Sequence, residues 1–280
     1  MSVPIILNAD DFAMTRGISD GIVALAEARR LSSTSAVVTT AHWATDAPAI
    51  LRLRPHFAVG LHLNLTFGKP LAPLPRLAPD GTLPAPEALI RRALAGCLDR
   101  LEIGAEIGRQ LDRFGEIAGH PPDFVDGHHH VHVLPGIRDA LLVELKQRFP
   151  GGGPLLRDPS DRPASILKRK IARGKAMTAA LLSVGFRRRA GAAGFSTNAG
   201  FSGFSTFGEV AYAEEFPAFL MSPGARPIVM CHPGLADDEL GSRDSIAARR
   251  PEEQAYLAAR SDIPELIWHP ARAAAERFPW

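Results

Sequence analysis

Residues 57–65 read Phe57-Ala58-Val59-Gly60-Leu61-His62-Leu63-Asn64-Leu65, and their alternation decides the fold class. Val59, Leu61, Leu63 and Leu65 recur with period two. This predicts a strand with those side chains on one face and Gly60, His62 and Asn64 on the other. Working outward, short apolar runs alternate with longer helix-like segments, the pattern of βαβ units around a parallel sheet. Toward the N-terminus, 5–7 reads as a strand, 18–30 as a helix, 36–38 as a second strand and 46–53 as a short helix. Toward the C-terminus, the proline-rich stretch 69–86 is an irregular loop, and helix resumes over 87–118 with a break expected near Gly96 or Gly104. Strands follow at 124–126, 155–157 and 227–231, and helices at 136–148, 166–186 and 251–260. No internal repeat, low-complexity tract or linker divides the chain. The expectation is one domain over residues 1–280 with a basic helical insertion at about 160–195.

Composition narrows the class. Hydrophobic residues make up 46% and charged residues 22% of the chain, as in an ordinary globular protein. No apolar run approaches the ~20 residues of a membrane span. The strand pattern begins at Val3, which leaves no room for a signal peptide. Two cysteines, Cys97 and Cys231, make no disulfide framework, so a cytoplasmic protein is expected. Net charge is +2, yet residues 162–208 carry nine basic and no acidic side chains, so the remainder is net acidic. Such a stretch suits an acidic partner, a membrane surface or nucleic acid. Between residues 162 and 195 its only aromatics are Phe186 and Phe195, too few for base stacking, and nucleic acid is not expected.

Polar clusters sit where the predicted strands end. Asn8-Ala9-Asp10-Asp11 closes the first strand, His62 and Asn64 close the third, and Asp126-Gly127-His128-His129-His130-Val131-His132 closes the fourth. His232, in Cys231-His232-Pro233, ends a later one. In parallel α/β folds these ends share one face, where sites are built. An Asp with two His from different strands is a ligand set for a divalent ion that keeps open water positions. Period-two alternation sends Asp10 and Asp11 in opposite directions, one toward the ion and the other free to act as general base. Cys231, beside His232, should point the other way and be buried. Rival chemistries lack their signatures. There is no G-x-S-x-G elbow and no G-x-G-x-x-G after a strand. Gly174-Lys175 fails as a phosphate loop because Arg169 and Ala176 occupy positions that need Gly and Ser or Thr.

Together, Asn8-Ala9-Asp10-Asp11-Phe12, Gly60-Leu61-His62-Leu63-Asn64-Leu65 and Asp126 to His132 resemble the YdjC-like carbohydrate deacetylases, a group with chito-oligosaccharide and hopanoid-associated branches. Cys231-His232-Pro233-Gly234 and Gly68-Lys69-Pro70 are similar to two further motifs of that family, in its order. The resemblance implies a distorted TIM-like (β/α) barrel and removal of acetyl groups from N-acetylated sugars. It further implies Asp11, His62 and His128 as metal ligands, Asp10 as proton acceptor and His232 near the leaving amine. Mg²⁺ is the ion it favours, while two imidazoles also suit Zn²⁺, Mn²⁺ or Co²⁺. A homodimer is consistent with it. Ala13 stands where many relatives carry Gly, and the insertion is longer than in compact members, so substrate identity does not transfer. Two other readings stay open. Hydrolysis of another bond, such as a phosphoester, would favour Arg at the strand ends, where Arg157 alone is a candidate. A non-catalytic sugar- or lipid-binding module would have lost a ligand or the base. A basic amphipathic helix, with Leu167, Ile171, Thr178, Leu181, Leu182 and Gly185 near one face, would suit contact with a membrane or a lipid-linked substrate.

Overall fold

The period-two reading of β3 holds on both of its faces. In the computed structural model, which describes residues 4–239 and 244–268, Val59, Leu61 and Leu63 pack outward into the main apolar core. Ala58 joins a second cluster inside the sheet's curvature. Gly60 is there because Phe124 is: a Cβ at Gly60 would lie 2.5 Å from the Phe124 ring. The strands are β1 (Ile6–Phe12), β2 (Ser33–Ala36), β3 (Ala58–Leu63), β4 (Phe124–Gly127), β5 (Leu155–Leu156), β6 (Phe201–Ser202) and β7 (Ile228–Cys231). All pairings are parallel, in the order β5-β4-β3-β2-β1-β7-β6. The segment entering β6 also makes a parallel bridge from Thr197 to Leu156, so the two sheet edges meet and the sheet curls into a distorted barrel.

Helices surround it: α1 (Arg16–Glu27), α2 (His42–Leu51), α3 (Pro86–Leu94), α4 (Arg100–Ala118), α5 (Ile137–Arg148), α6 (Pro163–Arg169), α7 (Arg173–Leu182), α8 (Phe186–Ala192), α9 (Tyr212–Phe219), α10 (Arg250–Ala259) and α11 (Ile263–Leu266). Among the described residues no helix is long and apolar enough to cross a membrane. The expected break in 87–118 falls at Gly96, whose φ of 69° stops α3, and Asp99 then caps α4 through the N–H groups of Leu101 and Glu102. Gly104 stays inside α4.

Three expectations are corrected. The second strand is Ser33–Ala36, not 36–38, because its hydroxyls find partners inside the fold: Ser33 donates to Asn8 Oδ1 at 2.6 Å and Thr34 to the Ala9 carbonyl at 2.7 Å. Satisfied hydroxyls bury without the apolar signature a sequence reading looks for. The short strand β6 was not foreseen, since Phe201-Ser202 has neither length nor alternation. The insertion is not one amphipathic helix. Lys170 and Ala172 take left-handed φ of 64° and 41° and break it into α6 and α7, which scatters the expected apolar stripe. Leu167 and Leu181 end up exposed, whereas Ile171 and Leu182 pack on the core.

Candidate metal centre and active-site cleft

The strand ends build the site through two departures from regular geometry and one lateral register. The first departure is in β1. Its pairing with β2 runs Ala9 to Thr34 and then Phe12 to Ala36, so one extra residue bulges out of β1 opposite Ser35. Asp11 absorbs the bulge at φ 73°, a conformation that costs a non-glycine residue on the order of 1–3 kcal/mol. The bulge corrects the expectation that Asp10 and Asp11 point apart. Both carboxylates line the same cleft.

The lateral register sets His62. It pairs across the sheet with Asp126, and its Nδ1–H donates to Asp126 Oδ1 at 2.6 Å. Its Nε2 then faces Asp11 Oδ1 at 3.2 Å. A carboxylate behind a histidine fixes the ring's tautomer and orientation for a cation in front of it. Burial opposes charging this ring, but Asp126 and the hydrogen bonds to Asp11 and Asp126 prevail and push it up to about 10. A cation at Nε2 competes with that proton, which makes binding pH-dependent.

The second departure follows β4. His129 and His130 adopt φ of 53° and 57°, and the chain turns sharply around the cleft wall. His128 places Nδ1 2.9 Å from Asp11 Oδ1. His132 turns away and donates from Nε2 to the Arg157 carbonyl at 2.6 Å, a structural role. Asn64 also leaves the site: its side chain bonds Thr39, Thr66 and Phe67 and holds the loop after β3.

The electrostatics explain how so many carboxylates are buried together. Asp10, Asp11 and Asp126 are at most 2% exposed, and two buried guanidiniums face them. Arg157, just after β5, holds Asp10 through Nη1 at 2.6 Å and Nη2 at 2.8 Å and reaches Asp126 Oδ2 at 2.8 Å. Arg250, opening α10, donates to Asp11 Oδ2 at 2.7 Å and to Asp244. Burial alone would raise the Asp10 carboxyl; Arg157 and then His62 outweigh it and hold the group far below the usual carboxylate range. Asp11 is likewise held down, against burial, by Arg250 and His128.

Three carboxylates face two guanidiniums, and the third positive charge is the proton held on His62, which a cation bound where Asp11, His62 and His128 converge would displace. These residues could hold a divalent ion, their donor atoms all lying within 4.8 Å of one another. A second trio, Asp10, His62 and Asp126, meets the same distance limit. Arg157 already occupies it, so its positive charge is supplied by protein.

The cluster forms the floor of a cleft of about 550 Å³, walled by His232, Phe207, Ile90 and Leu182. His232 sits at the end of β7 with its backbone N–H donated to Glu253 Oε2 at 2.6 Å and its ring edge-on to Phe207. Burial holds its imidazole below the ordinary value, so the ring is neutral at neutral pH. All five residues expected from the sequence thus line one cleft. Cys231 is buried, as alternation requires, and both cysteines are free. Residues the sequence reading left out of the site are Asp126, Arg157, Arg250 and Glu253. The first two had a signal, since each stands at a strand end. Arg250 had none, being 239 positions from the carboxylate it pairs with.

The sequence model of the YdjC-like protein family matches residues 4–276. A chitooligosaccharide deacetylase of Proteus mirabilis (strain HI4320) is 41% identical over 133 residues, 48% of this chain and 51% of that protein. One from Yersinia pestis (strain Pestoides F) is 39% identical over 144 residues, 51% and 56% of the two chains. The matched stretch thus spans about half the length of these curated relatives. A crystal structure from Enterococcus faecalis V583, described as a candidate cellobiose-phosphate cleavage protein, superimposes with a TM-score of 0.70. It covers 98% of this chain and all of that one at 20% identity, a likeness of fold.

Proposed function

We propose that this chain, which belongs to the YdjC-like family, is a divalent-metal-dependent hydrolase that removes the acetyl group from an N-acetylated sugar. The observation that carries the reading is the convergence of Asp11 Oδ1, His62 Nε2 and His128 Nδ1 beside an ionised Asp10 on a cleft floor. The relatives named as chitooligosaccharide deacetylases support the choice of bond and substrate.

Asp11, His62 and His128 would hold the ion, Mg²⁺ by family likeness or Zn²⁺, Mn²⁺ or Co²⁺ by donor type. When bound, such an ion polarises the acetamide carbonyl and acidifies water. Asp10 takes the proton from the water that attacks the carbonyl carbon. The Arg157 guanidinium keeps Asp10 ionised and also weakens it as a base, so the transfer depends on the water being acidified. The C–N bond then breaks, acetate departs with the water's oxygen, and the amine needs a proton. His232 is placed to deliver it. Because its ring rests neutral, the proton it delivers is the one that Asp10 took from the attacking water, which also returns Asp10 to its ionised state. Replacing His232 by Ala should flatten one limb of the pH–rate profile.

The phosphoester reading loses its support in Arg157, whose guanidinium is fully buried between Asp10 and Asp126 and cannot meet a phosphoryl group. The free cysteines support a reducing, cytoplasmic setting. The test is acetate release from N-acetylglucosamine and its oligomers, before and after chelation and on re-addition of single divalent ions. Release that vanishes on chelation and returns with metal is expected. No acetate from any sugar with any ion would sink the reading.

A further inference from the structure

Helix α7 has two working faces. Gly174, Lys175, Thr178, Ala179 and Leu182 line the active-site cleft. Met177, Ala180, Leu181 and, just beyond the helix, Val184 follow the same 3.6-residue spacing on the other side and line a second groove, of about 850 Å³. Leu181 is 67% and Val184 68% exposed there, and Leu167 of neighbouring α6 is 55% exposed. Apolar side chains this open cost solubility and contribute nothing to the core.

The cations of these helices are set apart by their clustering, since Arg29, Lys69, Arg91 and Lys146 are also exposed and, among the described residues, without an ion pair but lie scattered along the chain. Arg162, Lys168, Lys170, Arg173 and Arg188 are exposed, and among the described residues none of them forms an ion pair. The stretch 162–208 contains no acidic residue that could pair with them. Arg169 is the exception: it is buried against Asp161 and the carbonyls of Phe201 and Met221, and it holds α6 in place.

We propose that the α6–α8 face is a docking surface for an anionic phospholipid bilayer. Unpaired cations meet the headgroup charge, and Leu167, Leu181 and Val184 enter the headgroup boundary. A nucleic acid would call for aromatic stacking partners on this face, and the exposed apolar side chains are aliphatic. Because α7 also walls the cleft, docking holds the cleft beside the membrane. The inference does not depend on the reaction proposed above, and its readout is binding rather than turnover.

The experiment is co-sedimentation of the full chain with phosphatidylcholine vesicles, with and without phosphatidylglycerol. Binding is expected only with the anionic lipid. It should fade between about 0.1 M and about 1 M salt, as the screening length drops from ~10 Å to ~3 Å. Replacing Lys168, Lys170, Arg173 and Arg188 by Glu should lower vesicle affinity by roughly fivefold or more per cation. Leu181→Ser with Val184→Ser should lower it further while leaving the melting temperature unchanged. Should a variant fail to fold, the salt and lipid dependence of the unaltered chain decides alone. No sedimentation with anionic vesicles at low salt would overturn the proposal. So would equal binding to pure phosphatidylcholine, or binding to RNA but not to vesicles.

Discussion

At the N-terminal ends of the strands the barrel interior holds Ile6, Ala58, Phe124, Leu155 and Ile228. Two or four residues further along the same strands, the inward positions are Asn8 and Asp10, His62, Asp126, Arg157 and His232. One periodicity therefore writes both a dry plug and a charged floor. The plug keeps water out from below, so the charges above it attract and repel strongly, and each must be answered within the fold. Two arginines answer most of them, and the rest is met by the proton on His62, the place beside Asp11 and His128 that a cation would take. The contrast teaches that the lower end is bought for stability alone, while the upper end gives up stability for a place to hold a cation.

The largest effect that would test this contrast is at His62. His62→Ala removes a ligand from the upper end only, so bound metal should fall well below one per chain. Turnover should drop by more than the ~10⁴-fold upper range of a lost general base. The fold should persist, because Asp126 keeps Arg157. Metal analysis of the purified variant decides, and full occupancy would break the assignment. Asp10→Asn should do less: metal stays, and turnover falls ~10²–10⁴-fold. Near-normal rates would make Asp10 a mere anchor for Arg157. The plug should behave in the opposite sense. Phe124 is 2% exposed, and Phe124→Ala should cost about 3–5 kcal/mol in a denaturant titration. Its metal content, measured well below the midpoint, should match the parent protein. Loss of metal there comparable with His62→Ala would show that the two ends are not separable.

The upper end was also where the sequence was most and least readable. The rule that sites gather at C-terminal strand ends brought the clusters at 8–11, 62–64, 126–132 and His232 to one face, and the family resemblance singled out Asp10, Asp11, His62 and His128 within them. What it missed follows from how that end is built. The left-handed turn at Asp11 breaks the alternation that the reading assumed. β2 hides because its Ser and Thr are buried through hydrogen bonds to β1. Arg157 was noticed as the lone arginine at a strand end, but only geometry makes it the partner of Asp10. The basic insertion was legible as charge but not as shape, since two left-handed residues, Lys170 and Ala172, carry no Gly or Asn to announce them.

The smallest effect lies just behind the cleft, where Glu253 supports His232. Burial pushes its carboxyl up from 4.5 to about 7, against the opposing pull of the His232 N–H, Arg249 and Arg250. A raised folded-state value means that the native chain binds this proton more tightly than the unfolded one. The associated stability is fully present below about pH 4.5 and declines as pH rises toward 7. At 1.36 kcal/mol per unit, the loss has an upper bound of roughly 3 kcal/mol. Glu253→Gln keeps an acceptor for the His232 N–H but cannot ionise, and Arg249 retains Glu215 and Glu252. The variant should therefore match the parent near pH 4.5 and exceed it in melting temperature at pH 8. Parallel stability curves across that range would show that Glu253 is ionised throughout, and that this part of the upper end is as fully compensated as Asp10.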